Sequence, residues 1–284
     1  MKTQLAERFF EDGYYLSRAF YDYESEIKPI QSAIRDIIAL VAAKYEIDAP
    51  ASTPEEAMTR GYSAIIGADR KFGGEIYDAV KQIPEFMQLV VAPKNIELFK
   101  DFRPHAKPGI AAGGYGIRID NPGEEKFRAP WHQEFPAQLR SLDGVVFWAP
   151  LLPVHSDTGP VEICPGSHKE GPIAVYEDDQ GVGKTGAYAL RLDREDELLK
   201  KYERIAPLTN PGDLLNMDFL TLHASGQNVS RAPRWSMQWR VFNFADPVGV
   251  KLGWRGSFAA GVRYQDIVPE LAANRRDKSG DKVG

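Results

Sequence analysis

The stretch Arg234-Trp235-Ser236-Met237-Gln238-Trp239-Arg240-Val241 alternates without a break. Arg234, Ser236, Gln238 and Arg240 take one set of positions; Trp235, Met237, Trp239 and Val241 take the other. Successive side chains of a β-strand point to opposite faces, so a period of two reads as a strand with one polar and one apolar face. A strand with a wet outer face would alternate too. Here the apolar face carries two tryptophans and a methionine, bulky groups suited to packing against a layer of helices. The polar face would then be aimed into a barrel.

Working outward, the chain between Gly109 and Gly261 breaks into short runs rich in Val, Ile, Phe and Trp, punctuated by Gly, Pro and Asn. Such runs suggest a sandwich or barrel. The strands expected are Ala111–Asp120, Trp131–Phe135, Gly144–Leu151, Leu214–Leu220 and Arg234–Phe244. The first third reads differently. In Glu24–Tyr45 the apolar residues Ile27, Ile30, Ile34, Ile37, Ile38 and Val41 recur at helical steps. Pro29 fits only the first turn of that helix, which therefore starts a few residues late. Ser52-Thr53-Pro54-Glu55-Glu56 has the hydroxyl cap, the leading proline and the acids of a helix start, and helical texture runs on to about Val91. The expected class is mainly β with flanking helices, in one domain over residues 1–284. Its parts are a mostly helical N-terminal segment (1–105), a barrel core (106–262) and a charged tail (263–284), frayed from Asn274 to Gly284.

Composition removes several functional classes. The chain has 35 Lys and Arg against 40 Asp and Glu, a net charge of −5. That balance gives no support to nucleic-acid or anionic-membrane binding. The longest apolar run, Val145 to Val154, spans only about 10 residues and contains two prolines, where a membrane helix needs about 20. Met1-Lys2-Thr3-Gln4 lacks a leader's apolar region, so a cytoplasmic location is expected. The single Cys164 excludes an intramolecular disulfide and a multi-thiolate zinc site; it reads as a small buried residue.

The chemistry must come from few groups, since there are five histidines. In Trp131-His132-Gln133-Glu134-Phe135, His132 and Glu134 stand at i and i+2, on one face of the expected strand. His223 follows the strand Leu214–Leu220. Two His and one carboxylate on a metal leave three positions open, the pattern of non-haem Fe(II) oxygenases. On its own an H-x-E triplet is a weak signal, because most such triplets are structural. Arg234 strengthens it: it follows His223 by 234 − 223 = 11 residues, Arg pairs a carboxylate through two bonds, and Ser236 one pleat away donates another. An open Fe(II) site beside such a clamp is what a 2-oxoglutarate cosubstrate requires.

These stretches resemble the phytanoyl-CoA dioxygenase-like Fe(II)/2-oxoglutarate oxygenases. The resemblance opens with Phe9-Phe10-Glu11-Asp12-Gly13-Tyr14-Tyr15, similar to the family's first strand. It continues through Trp131-His132-Gln133-Glu134 and the turn Gly159-Pro160-Val161-Glu162-Ile163-Cys164-Pro165-Gly166-Ser167-His168-Lys169. It ends with Pro211-Gly212-Asp213-Leu214-Leu215, His223, Asn228, Ser230 and Arg234. The resemblance implies a double-stranded β-helix (a jelly roll, cupin-like). It also implies His132, Glu134 and His223 as Fe(II) ligands, with Arg234 and Ser236 on the far carboxylate of 2-oxoglutarate. The implied reaction consumes O2, releases succinate and CO2, and hydroxylates a small-molecule metabolite. Glu134 departs from the family's usual Asp. Trp148, 16 residues after His132, is either a cosubstrate neighbour or a plain core residue. Arg118 faces either inward, where it would bind the cosubstrate or an anionic substrate, or outward. His155-Ser156-Asp157 spells the family's H-x-D literally, but it lies after the strand that the iron pair should precede, and Asp157-Thr158-Gly159 has turn composition. His168 reads as part of the turn, and Asn228 and Ser230 as supports of the loop after His223. The competing reading from another class is a jelly-roll binding protein without catalysis, or a metal-dependent non-oxygenase. The Arg234/Ser236 clamp argues against it.

Overall fold

The computed structural model describes residues 4–177, 190–256 and Pro269; Asn274–Gly284 lies outside them. Ten strands are seen among the described residues: β1 (Tyr14–Ser17), β2 (Pro108–Ile110), β3 (Gly116–Asp120), β4 (Gly144–Pro150), β5 (Val161–Ile163), β6 (Val175–Glu177), β7 (Leu190–Leu192), β8 (Leu214–Asp218), β9 (His223–Ser225) and β10 (Arg234–Asn243). The major sheet runs β1-β8-β4-β10-β2, entirely antiparallel. The strand β10 is long enough to hold two partners on one edge, β3 against Arg234–Gln238 and β2 against Val241–Asn243. Opposite it, β5 pairs with β9, and bridges from His132 to His223 and from Ile205 to Ile163 widen this second sheet on both sides.

The face of β10 expected to carry apolar groups meets the helices. Trp235, Met237, Trp239 and Val241 are fully buried in one cluster with Ile27, Ile30, Ile34 and Ile38. The Trp235 indole donates to the Met58 carbonyl at 2.7 Å, so the ring is pinned as well as packed. The neighbouring strand β4 splits the same way. Val145, Phe147 and Ala149 join the helical cluster, while Val146 and Trp148 enter a second cluster between the sheets with Leu215, Met217 and Ile163. Cys164 is buried there, and burial pushes its thiol up to about 11.

Several sequence expectations need correction. The jelly-roll core is present, but 41% of the described residues are helical and about 20% are in strands, so the chain is not mainly β by content. The helix read from Glu24 starts with a wide turn at Tyr23–Ile27, and its regular part is Lys28–Lys44 with Pro29 in the first turn. The helical part extends past Val91 to Phe102. Thr53 caps the helix at Pro54, its hydroxyl accepting from the Glu56 N–H. Phe9-Phe10-Glu11-Asp12 is helical, within Gln4–Asp12, and the strand begins only at Tyr14. Ala111–Asp120 is a strand only from Gly116. Trp131–Phe135 is not a strand: His132 makes a single bridge, and Glu134 opens the helical turn Glu134–Gln138.

Candidate active site

His132 and His223 face each other across a reciprocal backbone bridge, each N–H donating to the other's carbonyl at 3.1 Å. Each imidazole is oriented by its own chain. The Nδ1 of His132 lies 2.8 Å from the Pro130 carbonyl, and that of His223 lies 2.9 Å from the Thr221 carbonyl. A carbonyl only accepts, so both Nδ1 atoms carry a proton and both rings turn their Nε2 edge toward the same point. These point at one carboxylate oxygen: Glu134 Oε2 is 3.8 Å from the Nε2 of His132 and 3.7 Å from that of His223. The three ligand atoms lie within 4.8 Å of one another.

Glu134 is placed by main chain rather than by a strand. Its N–H and that of Phe135 both donate to the Phe219 carbonyl, which bends the chain into the helical turn. Gln133 pins the other side, donating to the Gly171 and Leu220 carbonyls and accepting from the Ile173 N–H. Burial would raise the Glu134 carboxyl, but the Arg240 guanidinium beside it outweighs burial and holds the group well below the usual carboxylate range. Burial also keeps His223 neutral, its pKa pushed down to about 3.

The polar face of β10 looks toward this cluster. Arg234 is only 3% exposed. Its Nη2 donates to Asp120 Oδ2 at 2.8 Å, while Nε and Nη1 have no hydrogen-bond partner among the described residues. The Ser236 hydroxyl, fully buried, has none either. Arg118 stands across from Ser236 in the β3–β10 register, which settles its direction: it faces inward, bonded to Asp120 and to the Phe127 carbonyl. Burial works to raise Asp120, but Arg118 and Arg234 together hold it far below its ordinary value. Trp148 is buried on β4, facing the gap between the sheets. A cavity of about 590 Å³ unites these groups; His132, Glu134, His223, Arg118, Trp148 and Arg234 all line it.

His155 and Asp157, the rival pair, are exposed on a turn closed by Thr158, whose hydroxyl accepts from the His155 N–H. His168 holds the Phe10 carbonyl at 2.9 Å, a structural contact. Asn228 ties the loop after β9 to the end of β3, donating to the Asp120 and Ala232 carbonyls and accepting from Ser230.

Three participants escaped sequence reading. Asp120 is shared by Arg118 and Arg234; its place two residues after Arg118, on the same strand face, was the available signal. Gln138 and Arg240 both reach Glu134 Oε1, at 3.1 and 2.9 Å. Arg240 belongs to the alternation already noted, but nothing in sequence joins it to a residue 106 positions earlier.

The donor set suits Fe(II) and a dicarboxylate. Glu134 Oε2, Arg234 Nε and Nη1, and Ser236 Oγ are buried and unpartnered, a costly condition unless each meets a ligand. Comparison with known proteins agrees with this chemistry. The profile of the phytanoyl-CoA dioxygenase family (PhyH) matches residues 9–236. The 1-deoxypentalenic acid 11-beta-hydroxylase of Streptomyces arenae is 26% identical over 247 residues, covering 83% of this chain and 79% of that protein. The epimerase SnoN, solved with Fe3+, alpha ketoglutarate and nogalamycin RO, superposes with a TM-score of 0.57 at 16% identity, over 99% of this chain and 94% of its own. EctD from S. alaskensis with bound Fe gives 0.56 at 17% identity, over 92% and 84%.

Proposed function

Since the chain belongs to the phytanoyl-CoA dioxygenase family, and so to the Fe(II)- and 2-oxoglutarate-dependent oxygenases, we propose that His132, Glu134 and His223 hold its iron and that Arg234 and Ser236 hold its cosubstrate. The iron, once bound, supplies the activation of O2 that couples oxidative decarboxylation of 2-oxoglutarate, to succinate and CO2, with transfer of an oxygen atom to the substrate. The observation that carries the reading is the set of buried, unpartnered atoms on two sides of one cavity. Glu134 Oε2 sits between the two imidazoles, Arg234 lines the same cavity with free guanidinium donors, and Ser236, one pleat along the same strand face, keeps a free buried hydroxyl.

The chain's own residues divide the work. The Pro130 and Thr221 carbonyls hold both imidazoles with Nε2 turned toward the metal site. Asp120 holds one arm of Arg234 and leaves two N–H groups for the distal carboxylate of 2-oxoglutarate. Arg118 shares Asp120 and keeps it ionised. Trp148 closes the cavity from β4. The walls shield the reacting centre from water, which suppresses side reactions of reactive species.

The substrate is a small molecule. A cavity of about 590 Å³ lies within the usual range of roughly 300–1,000 Å³ for ligand pockets, and the cosubstrate takes part of it. Tyr62, Tyr77, Ile117 and Phe127 supply an aromatic and aliphatic surround, which favours a compact molecule with an apolar body. A hydroxylation of that kind matches what the Streptomyces relative is named for. The helical segment and the strand core act as one domain in the cytoplasm; the apolar cluster they share supports the first point. No described helix is long and apolar enough to cross a membrane. The test is Fe(II)-dependent conversion of 2-oxoglutarate to succinate by the purified protein, alone and with a library of small metabolites. Succinate production that exceeds the background and disappears in the Arg234→Ala variant is expected. No production under any condition, with iron bound, refutes the reading.

A further inference from the structure

The two oxygens of Glu134 are not equivalent. Oε2 is buried with no hydrogen-bond donor and lies between the imidazoles. Oε1 accepts two bonds, from Arg240 Nε at 2.9 Å and from Gln138 Nε2 at 3.1 Å. A carboxylate oxygen has about two lone-pair sites, so Oε1 is saturated by protein while Oε2 keeps both for a ligand.

Both donors are themselves held. Arg240 donates onward to Gln238 Oε1 at 3.2 Å and to the Gly114 carbonyl at 3.3 Å. Gln138 stands one helical turn after Glu134, and its amide oxygen accepts from Arg140 Nη1 at 2.6 Å. Arg140 is buried, and its other arm donates to the Ala112 carbonyl. The clamp therefore has one jaw on β10 and one on the helical turn, each braced from behind.

We propose that Arg240 and Gln138 act as positioning residues that hold Oε1 and restrict Glu134 to one ligating oxygen, so that three metal positions stay open for cosubstrate and O2. The inference rests on the ligand assignment above. It also gives the longer Glu side chain a use: its reach lets one oxygen stay on the clamp while the other serves the metal. Without the clamp, Oε1 is free to swing onto the metal, occupy an open position and compete with 2-oxoglutarate. Losing Arg240 also removes a positive charge from beside a divalent cation, so metal binding itself does not suffer.

The test uses Mn(II) added to the metal-free full-length protein. Three quantities are read: Mn(II) affinity, water-proton relaxation by the bound Mn(II), and 2-oxoglutarate affinity of the Mn(II)-loaded protein. Arg240→Met is expected to bind Mn(II) as tightly as the parent or tighter. Its relaxation enhancement should fall by about a third, as two open positions replace three. Its 2-oxoglutarate affinity should fall about 10- to 100-fold, the usual effect of losing a partner behind a ligand. Arg240→Lys, which keeps a donor, should recover part of both. In a Glu134→Ala background the Arg240→Met change should have no effect on relaxation. Gln138→Leu leaves β10 intact and should lower relaxation in the same direction, so the test survives if Arg240→Met fails to fold. Unchanged relaxation in Arg240→Met and Gln138→Leu, or weakened Mn(II) binding in both, overturns the clamp while the metal site stands. Mn(II) affinity and relaxation indifferent to Glu134→Ala would instead overturn the ligand assignment itself.

Discussion

Replacing Arg234 with Ala should separate cosubstrate binding from metal binding. Arg234 is almost fully enclosed, and one arm is committed to Asp120. Its Nε and Nη1 are left for the ligand and have no other described partner. Truncating one member of a buried, hydrogen-bonded charge pair costs about 2–5 kcal/mol. At about 1.4 kcal/mol per tenfold, 2-oxoglutarate should bind roughly 30- to 5000-fold more weakly. Asp120 keeps Arg118 after the change, so the fold should tolerate it better than removal of Asp120, which would strand two guanidinium groups.

The assay is calorimetric titration of 2-oxoglutarate into Mn(II)-loaded protein, with Mn(II) affinity measured separately. On sequence alone Arg240, three pleats along the same face, serves as the comparison, but its bond to Glu134 disqualifies it as a neutral one. Arg70 is better. It lines the cavity, pairs with Glu124 and is partly solvated, so Arg70→Ala should leave 2-oxoglutarate affinity unchanged. The clamp assignment fails if a folded Arg234→Ala protein binds 2-oxoglutarate like the parent. It also fails if its metal affinity drops as far as its cosubstrate affinity.

A His132→Ala/His223→Ala variant should bind no Fe(II), Mn(II), Co(II) or Ni(II) by metal analysis, while the parent accepts all four and turns over only with Fe(II). Glu134→Ala should abolish substrate-dependent succinate formation and Asp157→Ala should keep most of it; the reverse pattern would move the site to the exposed turn. Metal-free protein should lose stability as pH falls from about 6.5 towards about 3. Folded His223 has its pKa depressed to about 3, so in that window the unfolded chain binds a proton that the folded chain refuses. This group alone then contributes up to about 1.4 kcal/mol per pH unit, and urea midpoints of His223→Gln should show a shallower slope between pH 6 and 4.

The legible part of this protein was the part governed by periodicity. The two faces of β10 could be read from Trp235 and Trp239 on one side and Arg234 and Ser236 on the other, and the helical stripe from Ile27 to Val41 was as plain. Motif order separated His132 and Glu134 from the exposed His155 and Asp157. Reading failed where tertiary contacts override local pattern. Trp131–Phe135 has strand composition, but the Phe219 carbonyl takes two consecutive N–H groups and turns the chain. Pro136 was a usable warning, since proline is disfavoured in a paired strand and accepted in a first helical turn. The strand expected over Phe9–Tyr15 came from the resemblance alone; Phe9–Asp12 instead closes the helix Gln4–Asp12, in keeping with the helical reading of the first third. The Arg240–Glu134 bond joins elements that only the closed barrel brings together.

With metal and cosubstrate placed as proposed, the charge arrangement gives a reason for one cavity to hold both. Asp120 is one carboxylate for two guanidinium groups, Arg118 and Arg234. Glu134 is one carboxylate for Arg240 and two imidazoles. The first group attracts an anion and the second, with its free Oε2, attracts a cation. A divalent metal entering alone would share a cavity with three guanidinium groups, and a dianion alone would strand its second carboxylate away from the clamp. Together they bring equal and opposite charge, so the net charge of the cavity is the same loaded as empty. Each lowers the cost of burying the other. The strand β10 enforces the spacing, because Arg234 and Arg240 share a face that the packing of Trp235 and Trp239 against the helices forbids from slipping. A one-residue slip in register would send the clamp into the helical core and the indoles into the cavity.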